Sequence, residues 1–430
     1  MNRDDLLPLF PVGVVAAETG VSPETLRVWE RRYGLPRPAR SAGGRRLYSR
    51  RDIALVRWLA ARQAEGVSIG EAVRLWRTLV AAGRDPLRPP APEPGTLPGD
   101  GLYRRLTAEW VEACLAFDEA RADAILSEAF ALFDPETVCL RVLGRALAQL
   151  GEGWYLGRVS VQQEHFASAL AQRRLEGLLA AQPPPSRPLT VLVGCPPGEL
   201  HVVPALIGAL MLRRRGYRVV YLGADVAPQR LEEALGAVRP QQAFMTAQRL
   251  VSAAALAEVA GLVCARGVGF VYGGLYFAQA PTARRLVPGR YLGSDPGALA
   301  EVLEAAGPEA SVPELPPEYR QALELFRSAR PCIRVRLWAA VPEGPEEVLG
   351  PAAVEMERMV EAALRLGDAS LVGLELDWVF GLVVNHGRDP ALLGAFLEAY
   401  ARALEAAVSD PVLSGLADLI RSKAHGGGWG

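Results

Sequence analysis

The sequence predicts a multidomain protein of the α and α/β classes, with a winged helix-turn-helix, a helical bundle, a Rossmann-like domain and an extra, mostly helical C-terminal domain. Three observations support this prediction. The chain has 430 residues, more than one hydrophobic core usually supports. Apolar strands and helices alternate between residues 189 and 295, as in a parallel sheet covered by helices. Proline-rich stretches at 81–100 and 307–317 mark joints between compact parts.

These signals divide the chain into five segments. They are residues 8–80 (winged helix-turn-helix), 81–100 (linker), 101–183 (helical bundle), 187–305 (Rossmann-like domain) and 315–430 (C-terminal domain). Residues 1–80 contain fourteen arginines and eight acidic residues, a net charge of +6, whereas the whole chain has −1. A basic head on an acidic remainder indicates contact between the head and a polyanion.

Composition excludes several classes of protein. Lys423 is the only lysine, which excludes a P-loop NTPase and a Schiff-base enzyme. The five cysteines form no CxxC pair, as expected of a reduced protein without a structural zinc site. No apolar run is long enough to span a membrane and no signal peptide opens the sequence, so we expect a cytoplasmic protein without a membrane partner.

The head has the pattern of a helix-turn-helix. Gly20 separates two short helices, and Ser22 is a good N-cap for the second, since Pro23 follows at its first position. The stretch "SAGGRRLYSRRD" predicts a glycine-linked loop or hairpin. A solvated, arginine-rich helical face is the simpler interpretation of the arginines.

The order of these parts resembles the winged helix-turn-helix of the MerR family over "VSPETLRVWERRYGLPRPARSAGGRRLYSRRDI". The resemblance implies a dimeric protein that binds double-stranded DNA, with the helix Ser22–Arg32 in the major groove and Arg45, Arg46 and Tyr48 on phosphates. The DNA-binding residues implied are Ser22, Thr25, Arg27, Arg31, Arg32, Arg45, Arg46 and Tyr48. The metal sensors of this family carry cysteines just after this module. The first cysteine here is Cys114, which disfavours a metal effector.

The predicted bundle breaks at Asp134-Pro135 and near 151–157. Trp154 lies within the second break, and Glu164 and His165 follow it, in the stretch "GWYLGRVSVQQEHFAS". Taken alone, the tryptophan is also compatible with a core aromatic, and the Glu-His pair is also compatible with a solvated start of a helix.

Strands are predicted at 189–194, 218–223, 242–247 and 269–274. Glu199 and His201 follow the first strand, Thr246 ends the third, and Gly273 and Gly274 end the fourth. Ligands of open α/β sheets bind at the carboxyl ends of the strands. His201 alone is also compatible with an ordinary loop histidine.

Together these residues have the layout of a cobalamin-binding Rossmann-like domain. A bundle carrying W-x9-EH just before it resembles the light-sensing, cobalamin-dependent repressors of the MerR family, the CarH/LitR type, over about residues 10–300. The resemblance implies that His201 is the lower axial ligand of cobalt, with Glu199 as its partner. It also implies that the displaced base of the cofactor passes Thr246 and the two glycines. Trp154 would then cover the adenosyl group of adenosylcobalamin, with Glu164 and His165 nearby.

Three positions depart from the family pattern. Pro204 stands where the motif has glycine, and Thr246 stands where it has serine. Tyr155 follows the tryptophan, where light sensors of this type often have a histidine. The sequence therefore leaves open whether light is sensed.

The C-terminal segment has no family resemblance. We expect a strand at Cys332–Val341 and two strongly helical stretches afterwards. An oligomerisation or packing domain is the simpler interpretation. A second sensory pocket, for another chromophore such as a bilin, is the alternative, and Trp378 and His386 would be the residues to inspect.

The predicted function is a transcriptional regulator, not an enzyme. It would sense adenosylcobalamin, and light through Co–C cleavage, and couple the cofactor to homo-oligomerisation (a dimer or tetramer) and operator binding. Two alternatives stay open. One is a cobalamin-dependent methyl carrier or enzyme with a regulatory head, and the other is a MerR-like regulator of a different ligand.

Overall fold

A computed structural model describes residues 10–36, 38–40, 46–64, 68–81, 100–307, 313–340 and 346–424. Most of the predicted linker and wing residues 41–45, with Arg45, lie outside the described residues. The chain divides into two compact units, with the division at residues 98 and 99. Among the described helices, none combines the length and the apolar composition that crossing a bilayer requires.

The N-terminal unit is a helix-turn-helix followed by a short hairpin and two helices. Its elements are β1 (Phe10–Pro11), α1 (Val12–Thr19), α2 (Pro23–Tyr33), β2 (Ala39–Arg40), β3 (Arg46–Tyr48), α3 (Arg50–Ala64) and α4 (Ile69–Ala81). Gly20 ends α1 at a φ of 69°, which glycine adopts without strain. The Ser22 side chain accepts a hydrogen bond from the Thr25 amide at 3.2 Å, so the predicted N-cap is present. Strand β3 lies between β1 and β2 and pairs antiparallel with both.

The second unit begins with the helical bundle. Its elements are α5 (Asp100–Leu115), α6 (Glu119–Leu132), α7 (Pro135–Thr137), a π-helical segment (Val138–Leu143), α8 (Gly144–Tyr155) and α9 (Val161–Ala180). Asp134 caps α7 by accepting a hydrogen bond from the Thr137 amide at 3.0 Å, which accounts for the break predicted there. Helix α8 continues through Gly151 and Gly153 and ends at Tyr155.

A five-stranded parallel sheet follows. Its elements are β4 (Thr190–Gly194), α10 (Val203–Arg214), β5 (Arg218–Tyr221), α11 (Pro228–Val238), β6 (Gln242–Thr246), α12 (Leu250–Cys264), β7 (Gly269–Gly273), α13 (Leu275–Gln279), β8 (Arg290–Tyr291) and α14 (Leu299–Ala305). The strand order is β5-β4-β6-β7-β8. The order reverses between β4 and β6, and at such a point the loops diverge and leave a crevice at the carboxyl edge.

The C-terminal segment is helical throughout its described part. Its helices are α15 (Pro317–Ala340), α16 (Glu346–Arg365), α17 (Leu371–Asn385), α18 (Pro390–Ala407) and α19 (Pro411–Ala424). The strand predicted at Cys332–Val341 was wrong, because Cys332–Ala340 belongs to α15. Ile333 and Leu337 are buried one helical turn apart, so packing on one helix face outweighs the local preference for a strand.

Successive residues along the strands point to opposite faces of the sheet. Val191 and Val193 share a core with the bundle, whereas Leu192 shares a core with α12 and the C-terminal helices. Helix α16 packs directly on α12. The C-terminal helices therefore cover the face of the sheet opposite the bundle instead of forming a separate core.

Candidate functional site

The loop between β4 and α10 holds Glu199 and His201 at the β4/β6 crevice. His201 Nδ1 lies 2.6 Å from Glu199 Oε1. Because a carboxylate only accepts hydrogen bonds, Nδ1 carries a proton and Nε2 is the nitrogen available to a ligand. Nε2 has no hydrogen bond to any described residue, and the His201 side chain is 61% exposed. The loop therefore presents an oriented imidazole at the edge of the sheet.

Glu199 anchors this imidazole from a buried position, since its side chain is 1% exposed. Its Oε2 accepts hydrogen bonds from the Gln248 amide at 2.6 Å and from Ser252 Oγ at 2.7 Å. Burial alone would raise the pKa of Glu199, but the hydrogen bonds from His201, Ser252 and Gln248 outweigh it and lower that pKa. The hydrogen bond to Glu199 raises the pKa of His201, and burial opposes it. Gln248 and Ser252 were missed at the sequence level, because their role depends on where α12 begins.

Pro204, the departure from the family motif, lies in the first turn of α10. A residue there needs no intrahelical amide hydrogen bond, and the fixed φ of proline suits helix entry. The substitution therefore leaves the start of α10 regular.

Thr246 and the two glycines line the neighbouring strand ends. Thr246 is buried, and its hydroxyl has no hydrogen-bond partner of normal geometry in the described chain, although it lies beside the Cys195 thiol. Gly274 has a φ of +118°, and a Cβ there would overlap the Ala247 carbonyl. At Gly273 the nearest atom to a Cβ would be 3.6 Å away, so space does not require glycine there. A buried orphan hydroxyl is the feature expected where a polar cofactor tail enters.

The three predicted site residues of the bundle lie near the end of α8 and at the start of α9. Trp154 is the last residue but one of α8 and is half-buried, and its Nε1 is buried without a hydrogen-bond partner in the described chain. Glu164 lies in the first turn of α9 and accepts a hydrogen bond from Ser168 Oγ at 2.7 Å. The charge of Glu164 contributes to the raised pKa of His201, so the two side chains lie near each other. His165 is 74% exposed, and its Nε2 lies 3.8 Å from Glu164 Oε2.

The helix-turn-helix unit exposes four of its eight predicted DNA-binding residues. Ser22, Arg27, Arg31 and Arg32 are exposed along α2, and Thr25 is half-buried. Arg46 Nε donates to Glu30 Oε2 at 2.7 Å, which ties the wing strand to α2.

Tyr48 corrects one prediction. It is fully buried, and its hydroxyl has no partner in the described chain. Its ring therefore belongs to the core of the head and does not reach a phosphate. Arg45 lies outside the described residues.

Comparison with known proteins identifies both modules. The chain matches the MerR HTH family of regulatory proteins over residues 10–79 and a B12-binding domain over residues 106–178. It is 34% identical over 241 residues to the HTH-type transcriptional repressor CarH of Myxococcus xanthus, which covers 54% of this chain and 76% of that protein. It is also 34% identical over 232 residues to the HTH-type transcriptional repressor CarA of the same organism, covering 53% and 73%.

A third relative matches a smaller part of the chain, and a solved structure matches it less closely. The HTH-type transcriptional regulator MlrA of Escherichia coli is 38% identical over 69 residues, 16% of this chain and 28% of that protein. The monomethylamine corrinoid protein of Methanosarcina barkeri aligns with a TM-score of 0.40 at 15% identity, over 47% of this chain and 99% of that one.

The fold and the matched modules define a transcriptional regulator of the MerR class with a B12-binding domain. The match to the two Myxococcus repressors extends over about three quarters of each of those proteins. The chain belongs to the CarH-type family of cobalamin-dependent MerR regulators.

Proposed function

We propose that the protein senses adenosylcobalamin, and light through cleavage of its cobalt–carbon bond, and couples the state of the cofactor to oligomerisation and operator binding. The observation that carries the proposal is the His201–Glu199 pair at the β4/β6 crevice, beside the unpartnered hydroxyl of Thr246. Imidazole nitrogen is a suitable ligand for cobalt, and a carboxylate behind it fixes the ring and its tautomer. His201 Nε2 would therefore hold the cobalt.

The other site residues fit the rest of the cofactor. The displaced base and its nucleotide tail would enter past Thr246, Gly273 and Gly274, where the hydroxyl offers a hydrogen bond and the glycines leave the strand ends without side chains. Trp154 would lie on the upper side, with Glu164 and His165 forming hydrogen bonds nearby. When bound, adenosylcobalamin supplies a cobalt–carbon bond that visible light can cleave, and the residues around Trp154 would respond to loss of the adenosyl group.

The response would reach DNA through assembly. Arg27, Arg31 and Arg32 on α2, with Arg46 on the wing strand, would contact the duplex, and affinity would depend on how many heads engage at once. A cofactor held between bundle and sheet changes which surfaces protomers offer each other, as a dimer or tetramer. We propose a cytoplasmic regulator without enzymatic activity. The described C-terminal helices share their core with the sheet, which favours a packing role over a pocket for a second chromophore such as a bilin.

The experiment compares the wild type with His201→Ala, both purified in darkness with adenosylcobalamin. Leu200→Ala is the matched control, since that neighbouring side chain is 71% exposed. We expect the wild type and the control to be coloured, and green light to change their spectra, their mass by light scattering and their binding to DNA. His201→Ala should bind the cofactor about tenfold more weakly or more, with an altered spectrum. An unchanged spectrum in His201→Ala overturns the axial-ligand assignment. A colourless wild type overturns cobalamin sensing.

A further inference from the structure

Helix α17 of the C-terminal segment reaches the end of the bundle that carries Trp154. Its C-cap residue His386 has Nε2 at 2.8 Å from the Trp154 carbonyl, and Asn385 Nδ2 donates to the Tyr155 carbonyl at 3.0 Å. Because a carbonyl only accepts hydrogen bonds, His386 donates from Nε2. Two consecutive carbonyls of the Trp154 segment are therefore held by one helix end, although about 230 residues separate the partners in sequence.

Shape reinforces these hydrogen bonds. A Cβ on Gly381 would overlap the Tyr155 hydroxyl, and a Cβ on Gly157 would overlap the Asn385 carbonyl. Gly157 also has a φ of +69°. Each glycine thus accommodates a group from the other element, and the Tyr155 side chain occupies a notch in α17.

Trp378 of α17 makes the aromatic part of the contact. Its ring lies 6.0 Å from that of Trp154 and stacks on Tyr155 at 5.9 Å with an interplanar angle of 22°. The Arg249 guanidinium also lies over this ring, 4.4 Å from its centroid, within the range of a cation–π interaction. Trp378 therefore connects the end of α8 with the start of α12.

The start of α12 is also where the Glu199 anchor is held. Buried Glu375 of α17 accepts a hydrogen bond from the Leu250 amide at 3.0 Å and lies 3.5 Å from Arg249 Nε. Two residues further along α12, Ser252 Oγ donates to Glu199. Helix α17 thus contacts both the Trp154 segment and the start of α12, where Ser252 holds Glu199.

We infer that α17 is a further wall of the cofactor site, and that Trp378 and His386 are positioning residues that set which upper axial group the site accepts. His386 contacts the carbonyl of Trp154 and Trp378 contacts its ring. Trp154 Nε1 is buried without a hydrogen-bond partner in the described chain, so it leaves a donor that a ligand with acceptor atoms would satisfy. An adenosyl group would supply such acceptors, whereas a hydroxo or aquo group is too small to supply them at a distance from the metal. The inference rests on the proposed cobalamin function.

The test measures two dissociation constants in darkness by absorbance titration, for adenosylcobalamin and for hydroxocobalamin. The variants are Trp378→Leu and His386→Ala, and Trp338→Leu is the matched control, a C-terminal tryptophan 37% exposed elsewhere on α15. Trp378→Leu should reduce the preference for adenosylcobalamin about tenfold, and His386→Ala about threefold, as expected for loss of an aromatic contact or one hydrogen bond. The control should keep the wild-type preference. In the cofactor-free protein, hydrogen exchange in residues 154–160 should be faster in both variants than in the control.

The possible outcomes distinguish failure of this inference from failure of the proposed function. If the variants weaken the binding of both cobalamins by the same factor, so that the preference is unchanged, α17 is only a packing element and the inference is overturned while the proposed function stands. If the wild type binds neither cobalamin, both fall. Should Trp378→Leu fail to fold, His386→Ala decides, because that side chain is exposed and outside the core.

Discussion

His201 and Glu199 are joined by a 2.6 Å contact between Nδ1 and Oε1, although the first side chain is 61% exposed and the second 1%. The two residues therefore have different roles. The buried carboxylate is fixed by α12, whereas the imidazole remains accessible to a ligand. The opposite pKa shifts, lowered for Glu199 and raised for His201, show that each stabilises the charged form of the other.

The first prediction concerns the stability of the cofactor-free protein as a function of pH. Glu199, whose pKa is lowered, stabilises the fold above its ordinary pKa near 4.5, and this is lost as pH falls through the lowered value. His201, whose pKa is raised, stabilises the fold below its ordinary pKa near 6.5, and this is lost as pH rises through the raised value. The pair therefore contributes fully between those two values.

Thermal unfolding followed by circular dichroism checks this expectation. The midpoint difference between the wild type and His201→Ala should be largest near about pH 5.5 and should shrink at about pH 9. Leu200→Ala should show no such pH dependence. A difference of constant size across this range would contradict the assigned ion pair.

The second prediction compares two adjacent glycines. Gly274→Ala should lower the free energy of unfolding by about 2 kcal/mol or more, because Gly274 has a φ of +118° and a Cβ would overlap the Ala247 carbonyl. Gly273→Ala is the matched control and should be close to neutral, since its nearest neighbour would be 3.6 Å away. Denaturant unfolding of the two variants measures the difference. Equal losses would mean that the backbone at Gly274 is not the constraint.

Much of this site was predictable from the sequence because chain order alone fixes it. Parallel strands joined by helices bring their carboxyl ends to one edge, so Glu199, His201, Thr246 and the glycines had to meet there. The contacts made by α17 were not predictable. They join residues about 230 positions apart, and no periodic pattern encodes which distant helix covers a given edge.

Two of the predictions made from the sequence were wrong for the same physical reason. The stretch at Cys332–Val341 has strand-forming residues, yet burial of Ile333 and Leu337 on one helical face keeps it in α15. Tyr48 lies among exposed-looking arginines, but it pairs with Phe10 across β1 and β3 and is buried. In both cases tertiary packing outweighs the local pattern.

The third prediction concerns the thiols. Four cysteines are buried and Cys332 is exposed, and burial raises the pKa of Cys195 to about 12. Since the thiolate is the reactive form, native protein at neutral pH should titrate one thiol rapidly with Ellman's reagent, and denatured protein all five. Cys332→Ser should abolish the rapid reaction. Fast modification that survives in Cys332→Ser would show that a buried cysteine becomes accessible.

The fourth prediction tests the DNA-binding head through the salt dependence of binding. Arg31 is exposed on α2, so Arg31→Ala should weaken binding of the full chain to a duplex of random sequence. It should also reduce the slope of log affinity against log salt by about one if the arginine neutralises one phosphate. Tyr48→Phe removes only a buried, unpartnered hydroxyl and should change neither the slope nor the stability noticeably. Fluorescence anisotropy at several salt concentrations measures both variants against the wild type. A reduced slope for Tyr48→Phe would indicate that Tyr48 contacts a phosphate in spite of its burial. An unchanged slope for Arg31→Ala would indicate that Arg31 on α2 contacts none.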